Sequence, residues 1–285
     1  MPVLSLQSAV TYGYVGNSVA RVVLPAFGHE AWCVDTVCFS NHPGHGRVAG
    51  RVVPAAEVTA LVTGLEALGV FAEAAAVLSG YLGEKGSAQA VIQAVRGVRA
   101  AKRGAVYLCD PVIGDVLENG AGGVFVRPGV PEAIAGELLP LADIATPNAF
   151  ELGHLTGTGV PADTVAAVRA ARQVIARGPT VVVVTSHIGS DTPAEAIDTL
   201  AVTATEAWRV RTPRLGLRFD GSGDTLAALF LARILDTASV PEALADAVSS
   251  LQPLLAATRS PRHLALVAAL PLMRAPPERF PAEAV

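Results

Sequence analysis

Short apolar runs alternate along the chain with longer stretches whose apolar positions return every three or four residues. The runs at 3–7, 31–38, 75–79, 106–109, 144–146 and 180–185 have the length and branched side chains of strands. Val181-Val182-Val183-Val184 is apolar on both faces, as a central parallel strand must be. Helical periodicity covers 17–26, 56–68, 87–99, 131–138, 164–176, 224–235 and 241–256. Two more strands, 199–203 and 207–210, flank the turn residues Ala204-Thr205-Glu206 and form a hairpin that extends the sheet edge. Such alternation builds right-handed crossovers. The fold class is therefore α/β: a doubly wound, mainly parallel sheet with helices on both faces and an edge hairpin. No Pro/Gly/Ser-rich linker interrupts the pattern, which predicts a single domain over residues 1–274. Residues 275–285 carry three prolines and mixed charges and are expected to be a loose tail.

In doubly wound sheets a ligand sits outside the carboxyl ends of the strands. Ser8, Asp110, Thr146, Thr185 and Ser186 fall at those ends. The loops Gly13-Tyr14-Val15-Gly16-Asn17 and Ser40-Asn41-His42-Pro43-Gly44-His45-Gly46 leave the same edge.

Composition narrows the classes. Of 285 residues 51% are hydrophobic and 16% charged, which predicts a sizeable core built from small and branched aliphatic side chains. A net charge of −4 without any cluster of Lys and Arg argues against a nucleic-acid partner. No apolar run is long enough to cross a bilayer, and the N-terminus lacks the marks of a signal peptide. Three cysteines at unrelated positions, Cys33, Cys38 and Cys109, suit free thiols in a reducing compartment. A cytoplasmic protein is expected.

The most informative stretch is Phe219-Asp220-Gly221-Ser222-Gly223-Asp224-Thr225, which runs straight into the apolar repeat Leu226, Leu229, Phe230 and Ile234. Its glycines let the backbone approach a ligand, and the helix behind them aims free N–H groups and a positive dipole end at the loop. Asp224 adds a carboxylate at the edge of that anion site. A phosphate cradle with a base beside it points to phosphoryl transfer onto a hydroxyl; the bland alternative is an ordinary helix cap. It is not a Walker A loop, because no Gly-Lys-Ser/Thr follows, nor a dinucleotide fingerprint, because Leu226 takes the third glycine's place.

Gln7-Ser8, Gly13-Tyr14-Val15-Gly16-Asn17, Phe39-Ser40-Asn41-His42, Ser79-Gly80-Tyr81, Cys109-Asp110-Pro111-Val112, Thr146-Pro147-Asn148 and G-S-G-D occur in that order. The set resembles the pyridoxal kinase family of the ribokinase-like superfamily, from about Val3 to the helix after Asp224. The resemblance implies ATP-dependent phosphorylation of the 5′-hydroxymethyl of pyridoxal and related B6 vitamers. It implies Asp224 as catalytic base, with Gly221, Ser222 and Gly223 as the anion hole. On the nucleotide side it implies Asp110, Asp115, Thr146, Asn148, Glu151, Thr185 and Ser186. Magnesium would lie near Asp110, Asp115 and Glu151, with a monovalent cation such as K+ also near Asp110. On the vitamer side stand Ser8, Tyr81 and the loop of Pro43, Gly44 and His45. A homodimer is implied by resemblance only.

Bare residues leave alternatives at several of these positions. Asp110-Pro111 and Gly114-Asp115 are also common turn chemistry, and Asn148 with Glu151 has the spacing of a capping box. Two departures from the family matter. Many relatives have Thr where this chain has Pro43, which lacks both hydroxyl and N–H, so the direct polar contact to the vitamer is expected to be lost or to be supplied elsewhere, with His45 as the candidate. One branch has a reactive Cys where this chain has Val124. The glycine-rich stretch 119–123 has the composition of a flap over the nucleotide, and equally of a disordered surface loop. Two rivals remain: a hydroxymethylpyrimidine (phosphate) kinase and a catalytically weak vitamer-binding protein.

Overall fold

The computed structural model describes residues 1–116, 122–216 and 218–285. The first half of the chain forms β1 (Val3–Tyr12), α1 (Asn17–Ala26), β2 (Ala31–Asn41), β3 (Gly50–Val52), α2 (Ala55–Leu68), β4 (Ala76–Ser79), α3 (Ser87–Ala101) and β5 (Val106–Cys109). A small ladder follows, β6 (Gly114–Val116) against β7 (Gly122–Val124). Then come α4 (Val130–Ala133), β8 (Ile144–Ala145), α5 (Ala149–Thr156), α6 (Thr164–Ile175), β9 (Val181–His187), β10 (Ala196–Val202) and β11 (Ala207–Pro213). The remainder is α7 (Ser222–Thr237), α8 (Val240–Ala257), α9 (Leu266–Arg274) and β12 (Glu283–Ala284).

Ten of these strands make one sheet in the order β12-β11-β10-β9-β8-β5-β4-β1-β2-β3. Pairing is parallel from β2 through β9 and antiparallel at both margins. The expected doubly wound sheet with its hairpin is what forms. Period-two alternation explains why both faces are buried. Val182 and Val184 of β9 join Leu4, Leu6 and Val77 beneath α2, α3 and α6. Val181 and Val183 join Val3 and Leu78 beneath α1, α7, α8 and α9. The valine run therefore belongs to two cores at once, which is what a central strand needs.

Several expected elements need correction. The 131–138 helix is α only over Val130–Ala133 and widens to a π turn over Ile134–Leu138. The helix α9 carries Pro271 inside it, which masks its periodicity in the sequence. The segment 275–285 is not loose. Phe280 is buried in the second core, its N–H donates to Ser249 Oγ at 2.9 Å, and β12 pairs with Trp208 and Arg209 of β11. We expect Phe280→Ala to cost about 3 kcal/mol and to lower the thermal midpoint by roughly 8 °C; an unchanged melting curve would mean this packing adds nothing.

Among the described residues no helix is long and apolar enough to cross a membrane.

Candidate active site

The carboxyl ends of the parallel strands enclose a cavity of ≈ 430 Å³. That is ample for a small ligand. Tyr81, Asp110, Thr146, Thr185 and Ser186 line it from the strand ends, and Ser8 from within β1, which runs on to Tyr12 and does not stop at residue 7. Asp115, Asn148, Glu151, Pro43, Gly44 and the whole of Gly221-Ser222-Gly223-Asp224 complete the wall. Every expected site residue is therefore present but one. His45 is exposed, with its ring packed edge-on against Tyr12 at 5.8 Å. A 3-10 turn over Pro43–His45 carries it outward, and His42, which caps that turn, faces the cavity instead.

Gly221 caps α7 in the left-handed region at φ +85°, and a Cβ there would overlap the Tyr14 carbonyl. The first turn of α7 therefore meets the cavity end-on. The Ser222 N–H turns back to the Phe219 carbonyl at 3.2 Å. Among the described residues no acceptor faces the N–H of Gly221 or Gly223. Asp224 is the third residue of α7 and not its cap. Burial raises its carboxyl above the ordinary value, while the Gly16 amide and the His42 ring restrain the rise.

Gly16, at φ +51°, lies against the Ser8 carbonyl, where a side chain would not fit. Asn17 next to it is wholly buried and structural. It accepts from Ser5 Oγ at 2.7 Å and donates to the Val34 carbonyl at 3.0 Å and to Asp35 at 2.7 Å. The loop 13–17 is thereby pinned between β1 and β2.

Asp110 is buried, with Thr146 Oγ1 donating to it at 2.8 Å. Burial and the nearby Asp224 charge push its carboxyl up to about 8. Two carboxylates crowded in one cavity make a cation welcome there. Glu151 has a different task. Its Oε1 accepts from the Ile113 N–H at 2.9 Å and the Gly114 N–H at 3.4 Å, and its Oε2 from the Asn148 N–H at 2.9 Å. Asn148 returns the capping box and also donates to the Gly114 carbonyl at 2.9 Å. Burial, then Asp110, pushes the Glu151 carboxyl well up against these donors. Glu151 thus braces the loop that presents Asp110 and Asp115. Asp115 is held at the rim by Arg218 Nη2 at 2.6 Å. Among the described residues no three acidic, His or Cys groups converge as a ready metal cage. A magnesium ion held here would complete its shell with phosphate oxygens and water.

Ser186 sits at φ +54° in a bulge, because His187 faces Asp198 while Val184 faces Leu200. The extra residue turns Ser186 into the cavity. Ser186→Gly should relieve the backbone and stabilise the protein by about 1 kcal/mol, which thermal melts check.

Of the candidate flap at 119–123, residues 119–121 lie outside the described residues. Val124 ends β7 beside Phe125, which lines the cavity, so no thiol stands there.

The cavity can be set against known proteins. A family model described as Phosphomethylpyrimidine kinase matches residues 58–265. The pyridoxal kinase PdxY of Leifsonia xyli subsp. xyli is 45% identical over 284 residues, 98% of each chain. The chain belongs to the pyridoxal kinase family. The pyridoxal kinase of Deinococcus radiodurans is likewise 45% identical, over 99% of this chain and 96% of its own. A solved pyridoxal kinase from Leishmania donovani, in complex with ADP and pyridoxamine, superposes with a TM-score of 0.90 at 30% identity, covering 100% of this chain and 99% of that one. The fold is that of a pyridoxal kinase. Wall residues with no role expected of them are Val37, Phe39 and Phe219 on the apolar side, and Asp220, although Phe39, Phe219 and Asp220 fall within recognised motifs. Alternation along β2 signals Val37 and Phe39; nothing local signals Asp220.

Proposed function

We propose that this kinase transfers the γ-phosphoryl group of ATP to the 5′-hydroxymethyl of pyridoxal, giving pyridoxal 5′-phosphate, with pyridoxine and pyridoxamine as further acceptors. The observation that carries the reading is Asp224, a half-buried carboxylate in the first turn of α7 beside the N–H groups of Gly221 and Gly223, which make no backbone hydrogen bond. Ser8, Tyr81 and the turn at Pro43–Gly44 stand across the same cavity as the wall for a flat ring.

Asp224 takes the proton of the acceptor hydroxyl as that oxygen attacks phosphorus. Burial suits it to this, because a carboxyl raised towards neutrality is a stronger base. The N–H groups of Gly221 and Gly223 and the α7 dipole meet the charge that builds on the transferred group, the Ser222 N–H being turned back to Phe219. Thr185 and Ser186 hold the nucleotide phosphates from β9. Asp110 and Asp115, braced by Glu151 and Asn148, would hold magnesium with the triphosphate, and Asp110 with Thr146 would border a monovalent cation such as K+. Magnesium, when bound, supplies positive charge against the phosphate oxygens. We extend the proposal to a homodimer acting in the cytoplasm. In support, all three cysteines are free, Cys109 buried and Cys38 exposed.

A second reading, phosphorylation of hydroxymethylpyrimidine, draws on the description of the matching family model. Mass spectrometry of products from ATP with pyridoxal, pyridoxine, pyridoxamine and hydroxymethylpyrimidine separates the readings. Phosphorylated pyridoxal should dominate. A dominant pyrimidine phosphate would reassign the ring wall, and no product at all would leave a vitamer-binding protein.

A further inference from the structure

Asp220 stands immediately before the anion turn, so its carboxylate lies beside the place assigned to a phosphoryl group. Left alone, that charge would repel the substrate it adjoins. It is not alone. His42 Nδ1 lies 2.9 Å from Asp220 Oδ2, and Arg262 Nη1 lies 3.5 Å from the same oxygen. Oδ2 itself is shielded from water. Burial pushes the Asp220 carboxyl up, but the His42 hydrogen bond and the charges of His42 and Arg262 outweigh it and leave it below the ordinary value.

These three side chains come from three separate pieces of the site. His42 caps the Pro43–His45 turn at the end of β2, Asp220 belongs to the anion loop, and Arg262 belongs to the connection between α8 and α9. The connection is fixed in its turn: the Asp220 N–H donates to the Pro261 carbonyl at 2.8 Å, and His263 stacks on Tyr12 at 4.7 Å. Arg262 Nη1 fills the space that a Gly44 side chain would need. Proline at 43 offers no N–H of its own. The Gly44 N–H reaches the same His42 Nδ1, at 3.3 Å, and one nitrogen cannot both accept that bond and donate to Asp220. Nδ1 thus lies between the Gly44 amide and the Asp220 carboxylate, which sets the turn against the anion loop.

Resting on the reading of this cavity as a pyridoxal kinase site, we propose that Asp220 is a positioning and specificity residue. With His42 and Arg262 it clamps the Pro43–Gly44 wall to the anion loop, so that the acceptor's hydroxyl is presented to Asp224 in register with the phosphoryl group. Asp220 touches neither reacting atom. It acts through His42 and Arg262 on the vitamer side and leaves the nucleotide side to β9 and the Asp110 loop.

The test is steady-state kinetics with both substrates varied, on the full chain. Asp220→Ala should raise KM for pyridoxal about tenfold and leave KM for ATP within about twofold. Arg262→Met should do the same, and the double variant should be little worse than either single one, since both remove the same clamp. Asp220→Asn keeps an acceptor for His42 and should fall between wild type and Asp220→Ala. It also carries the test if the alanine variant does not fold. An unchanged pyridoxal KM, a parallel rise in both KM values, or multiplying effects of the two single variants would each overturn the assignment. Wild-type protein that turns over pyridoxal while the variants match it sinks the clamp alone; wild type without pyridoxal turnover sinks the function and the clamp together.

Discussion

Asp224→Asn should lower kcat for pyridoxal phosphorylation by about a thousandfold, while ADP and pyridoxal still bind. The side chain keeps its size and its place in the first turn of α7, so only the capacity to accept a proton is lost. The pH dependence gives an independent reading. Burial raises the Asp224 carboxyl, so wild-type kcat/KM should fall as pH drops through a value above the ordinary carboxylate range. Stability has the opposite sign. A carboxyl whose folded pKa is raised contributes stability that is lost as pH rises from its unfolded value through its folded one. The empty Asn variant should therefore melt higher than wild type above that window. Turnover retained by Asp224→Asn would remove Asp224 from the role of base.

Gly221→Ala should be the most damaging single methyl group in the chain. The left-handed backbone at φ +85° costs about 1–2 kcal/mol for any residue with a Cβ. The added carbon also meets the Tyr14 carbonyl, so the anion turn must move away from the loop before α1. Displaced N–H donors should cut kcat/KM by a hundredfold or more, on the order of losing an oxyanion donor. Gly223→Ala is the control. Nothing stands within 4 Å of a Cβ at Gly223, which lines the cavity, so its melting temperature should hold while activity falls. Equal loss of stability in both variants would leave the turn's shape and its chemistry unseparated and contradict this account.

Much of the fold was legible because period-two and period-3.6 patterns report burial directly. α1 begins and ends where its pattern does, and the valines of β9 announced a strand covered on both faces. The anion turn and the polar strand ends were legible for a local reason: glycines before a helix, and Ser, Thr or Asp after an apolar run. What escaped depends on pairing across the chain. Asp220 gains meaning only when His42 and Arg262 arrive beside it. Ser186 owes its orientation to a register slip against β10, which no property of serine foretells. His45 was chosen as a polar neighbour of Pro43, but a three-residue turn reversed which histidine faces inward. The docked tail was misread because prolines suggest looseness, whereas Phe280 finds its partner in α8.

The anion loop rests on Tyr14 on one side and Pro261 on the other. Loops closed by such remote segments form late, since their entropy cost comes before their contacts. The site is thus assembled from the two ends of the chain's folding history. On refolding from denaturant, helical signal should return first and kinase activity last. Catalytic competence then serves as a report that the whole sheet has been built.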